Sequence, residues 1–207
     1  MTEAASVPAP ADQKRRIALL RLAVLLCVPV IAFSRPGASV PPLALEAIES
    51  LGMLMVVAGV LGRFWSILYI GGRKNAEVMR TGPYSVCRHP LYLSSTIAVA
   101  GFGLMLGSLL VTTILTGAVA LILADVAARE ERHLGGAFGR AYADYAAEVP
   151  RILPAPRLFR TPDRVSFEVR TLRRNLADAL VFLALVPLGE FLEYFRDAGA
   201  WPTIPLP

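Results

Sequence analysis

Cysteine and histidine are both scarce in this sequence. It has two cysteines, Cys27 in an apolar run and Cys87 beside a polar stretch, and they do not indicate a disulfide framework. We expect Cys87 to be passive because no base is evidently paired with it. The two histidines are His89 and His133. Glu130-x-x-His133 matches half of a di-iron carboxylate motif whose second copy is absent, so we expect no metal site.

A cleavable signal pattern and an internal repeat are also missing. The first residues are rich in Ala, Pro and Ser, and no small-residue cleavage site follows a short apolar core. We therefore expect residues 1–16 to form a disordered N-terminal tail. Gly101-x-Gly103-x-x-x-Gly107 lacks the spacing of a dinucleotide-binding loop, and small residues in an apolar run are typical of close helix packing.

Apolar residues are abundant. They make up 55% of the 207 residues, and the mean hydropathy is +0.55, which indicates an integral membrane protein. The net charge is +5. We attribute this charge to basic loops on one side of a bilayer and expect no nucleic-acid partner, because the basic residues crowd the connections between apolar runs.

The apolar runs predict an all-α, polytopic membrane protein with a single domain over residues 17–207. Residues 129–149 are expected to form a polar helix or helical pieces, and residues 150–164, with four prolines, cannot be continuous helix. About five transmembrane helices are predicted: residues 17–33, residues 47–70, two spans within 91–128 joined by a turn at Gly107-Ser108, and a C-terminal span at 175–195.

The distribution of Lys and Arg orients these spans. Three lie in the N-terminal tail, four in residues 71–90 and ten in residues 129–174, whereas the opposite side holds only Arg35 and Arg196. The positive-inside rule therefore places the N terminus and both polar stretches in the cytoplasm. We expect a protein of the bacterial inner membrane with its site on the cytoplasmic side.

The first polar stretch, residues 80–92, lies between apolar runs. Gly82-Pro83 indicates a turn, and Pro90 suits the first position of a helix. The backbone N–H groups after Pro90 would then be open to an anionic group. The alternative interpretation is a positively charged loop at the membrane edge that only anchors two helices.

The second polar stretch begins at Glu130-Glu131, at the other end of the predicted hairpin. The hairpin brings Arg88 and His89 close to these carboxylates. Such a mixture suits a zwitterionic ligand, since the donors bind a carboxylate and the acids bind an ammonium group. The alternative is that the glutamates pair with nearby arginines at a surface, and that Tyr142 and Tyr145 only anchor the chain at a membrane interface.

Five short motifs occur in order along these stretches. They are Gly82-Pro83-Tyr84, Arg88-His89-Pro90-x-Tyr92, Glu130-Glu131, Phe138-Gly139…Tyr142…Tyr145 and Val149-Pro150…Pro154. Their order and spacing resemble the isoprenylcysteine carboxyl methyltransferase family, and bacterial phospholipid N-methyltransferases resemble the same pattern. The resemblance covers roughly residues 50–155.

The resemblance implies S-adenosylmethionine as methyl donor and a lipophilic acceptor that enters from the bilayer, with membrane lipids as neighbours. It implies catalytic roles for Arg88, His89 and Glu131. The implied cofactor-binding residues are Tyr84, His89, Tyr92, Glu130, Glu131, Tyr142, Tyr145 and Arg151. Glu148 precedes Val149 where these enzymes tend to carry a basic residue, so the acceptor side departs from the pattern.

Other functions stay open at this point. An amine acceptor, as in phospholipid N-methyltransferases, must lose a proton first, so a base such as His89 would matter more than for a carboxylate acceptor. For His89 itself we favour a role in cofactor binding. A reductase that resembles the sterol reductases would bind NADPH, and a non-enzymatic scaffold would bind no cofactor. Arg157, Arg160 and Arg164 are compatible with a 2′-phosphate. The oligomeric state stays open.

Overall fold

The structure is a computed structural model that describes residues 34–36, 41–73, 76–199 and 204–206. The predicted tail 1–16 and the predicted span 17–33 lie outside the described residues. The helices are α1 (Pro42–Ile70), α2 (Pro83–Val86), α3 (Pro90–Met105), α4 (Leu109–Phe138), α5 (Arg140–Glu148) and α6 (Val169–Asp197). Two short strands, β1 (Ser34–Pro36) and β2 (Ile204–Leu206), pair in parallel. The described chain is therefore helical, as predicted, apart from this small strand pair.

Helices α1 and α3 pack closely through small residues. A methyl group added at Gly59 of α1 would lie 2.6 Å from the carbonyl oxygen of Ser94 and 2.7 Å from Cβ of Ala98, both in α3. Gly101 of α3 similarly faces the backbone of α1 at Gly52. Helix backbones approach this closely only where side chains are absent or small. The glycines of α3 thus serve helix packing, as the sequence predicts.

The hairpin between α3 and α4 turns where the sequence predicts it. Gly107 has a φ of +69°, a conformation that glycine adopts without steric cost. Ser108 then caps α4, because its side-chain oxygen accepts a 3.3 Å hydrogen bond from the backbone N–H of Val111. Leu106 and Val111, both fully buried, join the apolar core that lies between these helices and α1.

Helix α4 continues well beyond residue 128, where the second span of the hairpin was expected to end. It runs to Phe138, and Gly139, with a φ of +51°, separates it from α5. Glu130 and Glu131 consequently lie about two turns before the end of α4. The polar stretch is thus the last part of one long helix followed by a short one.

Two described helices, α1 and α4, are long and apolar enough to cross a membrane. Helix α3 is also apolar but has 16 residues. Helix α6 covers the predicted C-terminal span and contains Pro187. Residues 150–164 are irregular, as predicted, except for a 3₁₀ turn at Pro156–Leu158.

Candidate active site between α3, α4 and α5

The single turn of α2 is held in place by the segment that follows α5. The backbone N–H of Gly82 donates to the carbonyl oxygen of Arg160 over 2.7 Å, and the N–H of Arg160 donates to Oγ of Ser85 over 2.9 Å. Further along, the N–H of Arg88 donates to the carbonyl oxygen of Pro150 over 2.9 Å. These contacts fix the backbone from which Arg88 and His89 project.

Glu131 is surrounded by three basic side chains. Its Oε1 lies 2.9 Å from Nε2 of His89 and 3.1 Å from Nη1 of Arg88, and its Oε2 lies 3.2 Å from Nε of Arg151. Only 19% of the Glu131 side chain is exposed. Since a carboxylate can only accept hydrogen bonds, Nε2 of His89 must carry the proton that they share. Glu131 therefore orients the imidazole of His89 and holds Arg88 and Arg151 close to it.

Glu130 has a different environment from its neighbour in sequence. The Tyr92 hydroxyl donates a 2.8 Å hydrogen bond to its Oε2. The rings of Tyr92 and His89 are stacked, with centroids 5.4 Å apart and an interplanar angle of 9°. Glu130 is thus linked through Tyr92 to the same histidine that Glu131 contacts directly.

A pocket opens beside this network. Its empty space, including the part open to solvent, is about 670 Å³. It is lined by Ile70, Glu77, Val78, Met79, Tyr84, Arg88, His89, Leu91, Tyr92, Glu130, Leu134, Tyr142 and Tyr145.

Seven of the predicted site residues line this pocket. Glu131 and Arg151 do not line it; Glu131 contacts Arg88, His89 and Arg151. Sequence reasoning missed Glu77, Val78 and Met79, for which no pattern gives a signal. Leu134 was also missed. It lies four residues after Glu130 in α4, so helical spacing would have placed it on the same face.

The tyrosines of α5 are buried rather than placed at an exposed membrane edge. Tyr142 and Tyr145 are 6% and 4% exposed, and the Tyr145 hydroxyl donates a 2.8 Å hydrogen bond to the carbonyl oxygen of Tyr84. This burial does not fit the alternative that they only anchor the chain at an interface. Burial raises the pKa of Tyr84, Tyr142 and Tyr145, so all three are neutral phenols at physiological pH.

Two buried polar atoms at the pocket lack a well-formed hydrogen bond, although the Arg88 side chain lies close enough to the Tyr142 hydroxyl to oppose the rise in its pKa. The hydroxyl of Tyr142 and Nε of Arg88 have no hydrogen bond of normal geometry within the part of the chain that the structure describes. Buried polar groups are normally satisfied, so these two are suited to contact a ligand. Both can donate to the carboxylate of a zwitterionic ligand, while Glu130 can accept from its ammonium group.

Other residues considered from the sequence lie away from this chemistry. Cys87 is 1% exposed, and burial raises the pKa of its thiol to about 11, so it is a protonated core residue. Arg157, Arg160 and Arg164 do not line the pocket, and Arg160 pairs instead with Glu148 at 2.6 Å. Among the described residues, no group of three or more His, Cys, Asp or Glu is arranged to hold a metal ion.

An apolar cleft lies on the other side of His89 and Tyr92, between α3 and α4. Apart from these two residues it is lined by Leu93, Thr96, Ala120, Leu123, Ala124, Ala127 and Ile152. His89 and Tyr92 are therefore a wall shared by a pocket with charged groups and a cleft that is almost entirely apolar.

Comparison with known proteins agrees with the motifs. Residues 48–141 match the sequence profile of the family described as phospholipid methyltransferase. The chain is 38% identical to the cobalt-zinc-cadmium resistance protein CzcN of Cupriavidus metallidurans, over 90% of this chain and 85% of that protein. It is 39% identical to the nickel-cobalt-cadmium resistance protein NccN of Alcaligenes xylosoxydans xylosoxydans, over 77% of this chain and 75% of the relative. No solved structure is significantly similar. The family resemblance read from the motifs is thus confirmed, and the chain belongs to the phospholipid methyltransferase family.

Proposed function

We propose that this protein transfers a methyl group from S-adenosylmethionine to a lipophilic acceptor at the site around His89. The observation that carries this proposal is the shared wall of His89 and Tyr92. A charged pocket on one side suits a water-soluble donor, and an apolar cleft on the other suits a lipid. Donor and acceptor would then lie next to the same two side chains, and an in-line displacement requires them to meet at the edge of that wall.

The residues present fit the cofactor. Glu130 would bind the ammonium group, while Arg88 and the Tyr142 hydroxyl would donate to the carboxylate. The aromatic faces of Tyr84 and Tyr92 would attract the sulfonium. When bound, S-adenosylmethionine supplies an electrophilic methyl group. Glu131 and Arg151 would act from behind, by holding Arg88 and His89 in position.

The surroundings of His89 also favour a second candidate, methyl transfer to an amine headgroup. Because Nε2 is protonated and donates to Glu131, the other ring nitrogen of a neutral His89 is an acceptor. It can remove the proton that an ammonium group must lose before it attacks. A carboxylate acceptor needs no such base.

The membrane arrangement forms part of the proposal. We propose about five spans, with the N terminus and the site in the cytoplasm of a bacterial cell. The apolar helices α1 and α4 and the strong asymmetry of Lys and Arg support it. Since both relatives are named for resistance to metals, we further propose that the methylated product serves metal tolerance.

Calorimetry on detergent-solubilised protein separates the candidate functions. We expect S-adenosylhomocysteine to bind and NADPH not to bind. Binding of NADPH alone would establish the reductase alternative, and binding of neither would favour a scaffold. An amine-bearing phospholipid and a prenylated cysteine carboxylate, each offered with labelled donor, then identify the acceptor class.

A further inference from the structure

We propose that residues 151–168, here called the strap, form a membrane-interface surface that binds anionic phospholipid headgroups. The strap is the irregular segment between α5 and α6. It passes across the end of α1 and beside α4. Arg151 and Ile152, at its start, take part in the active site, whereas its other exposed side chains have no role there. The proposal rests on the membrane arrangement proposed above and not on the methyltransferase activity.

The strap is attached at several points to the last turns of α1 and to the turn that follows it. The ring of Phe159 packs against Trp65, with centroids 5.8 Å apart. Oγ1 of Thr161 lies 2.7 Å from the Tyr69 hydroxyl oxygen. Nη2 of Arg73 donates to Oγ of Ser166 over 2.6 Å. These contacts fix the position of the strap along the axis of α1, near the C-terminal end of that helix.

That position is where the apolar surface of the helices ends. Trp65 is exposed close to the end of α1, a position that suits an indole at a membrane interface. On the other side of the bundle, Ile152 lines the apolar cleft beside Ala124 of α4. In α4 the charged side chains begin directly afterwards, with Asp125. Both attachments thus place the strap at the boundary between apolar and charged surface.

The strap exposes apolar side chains at this boundary. Leu153 is 80% exposed, and Ile152, Phe159 and Phe167 are also exposed. Exposed apolar side chains on one irregular segment indicate a contact surface where they adjoin other apolar surface. Because they continue the apolar surface of the membrane-crossing helices, the lipid bilayer is the surface that they fit.

The exposed arginine side chains of the strap favour lipids with negatively charged headgroups. Arg157 and Arg164 are exposed and make no ion pair within the described part of the chain, although Asp163 precedes Arg164. Arg160 differs, because it pairs with Glu148. Two available guanidinium groups beside exposed aromatic rings complement negatively charged headgroups.

Fluorescence quenching by brominated lipids tests this proposal. With Trp201 replaced by phenylalanine, Trp65 is the remaining tryptophan and lies against the strap. We expect brominated phosphatidylglycerol to quench it at lower mole fraction than brominated phosphatidylcholine. Arg157→Gln/Arg164→Gln should reduce this preference by roughly fivefold for each arginine removed, and 0.5 M salt should weaken it.

Two further variants control for charge and position. Arg132→Gln/Arg140→Gln removes the same charge from exposed positions further along α4 and in α5, and it should leave the preference unchanged. Arg157→Lys/Arg164→Lys should retain most of it. Equal quenching by the two lipids in the unmodified protein, or an equal loss in the Arg132 and Arg140 variant, would overturn the proposal.

Discussion

The hydroxyl group of Tyr92 donates a 2.8 Å hydrogen bond to Glu130, while the adjacent Glu131 makes contact with Arg88, His89 and Arg151. Two neighbouring carboxylates of one helix are therefore divided between a ligand pocket and a cluster of basic residues. Their removal should have different consequences.

Glu130→Gln should weaken the binding of S-adenosylhomocysteine and leave the fold intact. Loss of one charge-assisted contact costs about 1.5–3 kcal/mol, so the dissociation constant should rise roughly 10- to 150-fold in calorimetry. Glu148→Gln is the matched control, because its pair with Arg160 is solvent-exposed and should contribute little. An unchanged dissociation constant would remove Glu130 from the cofactor site.

Glu131→Gln should lower the thermal unfolding temperature as well as the affinity. The change leaves Arg88, His89 and Arg151 without their common carboxylate, and breaking such a partly buried network is destabilising. Thermal unfolding in detergent would measure the loss. A variant as stable as the original protein would show that the cluster does not organise the site.

His89→Ala separates binding from base catalysis. If His89 holds the cofactor, the dissociation constant for S-adenosylhomocysteine should rise by about tenfold or more, as for a lost hydrogen bond to a charged group. If it acts as a base, binding should persist while the turnover rate falls, most strongly with an amine acceptor. We expect the first outcome. Unchanged affinity and turnover together would leave residues 80–92 as a hinge between helices.

Cys87 should be unreactive in the folded protein. Because burial raises the pKa of its thiol to about 11, only about one molecule in a thousand carries a thiolate at pH 8. In a Cys27→Ala background, maleimide should label Cys87 after denaturation in SDS but hardly before. Cys87→Ala should retain activity; rapid labelling of native protein would contradict the packed position of this residue.

Gly59→Ala should destabilise the packing of α1 on α3. The new methyl group would collide with the backbone of α3 at Ser94, and such overpacking costs about 1–3 kcal/mol. Gly117→Ala is the control, since a methyl group there meets nothing within 4 Å and alanine favours a helix. A lower unfolding temperature is expected for the first variant alone.

Much of the helical arrangement follows from the sequence itself. Apolar runs of sufficient length predicted α1 and the α3–α4 hairpin, and Gly107-Ser108 marked the turn because glycine and a capping serine carry local backbone preferences. The end of the predicted span at residue 128 is not the end of α4, which continues to Phe138. A change from apolar to charged residues marks the edge of a membrane span, whereas the hydrogen bonds of the helix continue until Gly139 interrupts them.

The residues of the site could also be predicted from the sequence, because the motifs contain Arg88, His89, Tyr92 and the two glutamates. Only the tertiary structure determined which partners each of the two glutamates contacts. Successive residues of a helix point about 100° apart, so Glu130 and Glu131 cannot face the same surroundings, and only the packing of α4 against α3 determines which one meets the pocket. The strap, likewise, has no periodic pattern that could reveal its position. Its level at the end of α1 depends on contacts such as Phe159 with Trp65, between residues far apart in the chain, and such contacts exist only after the helices have packed.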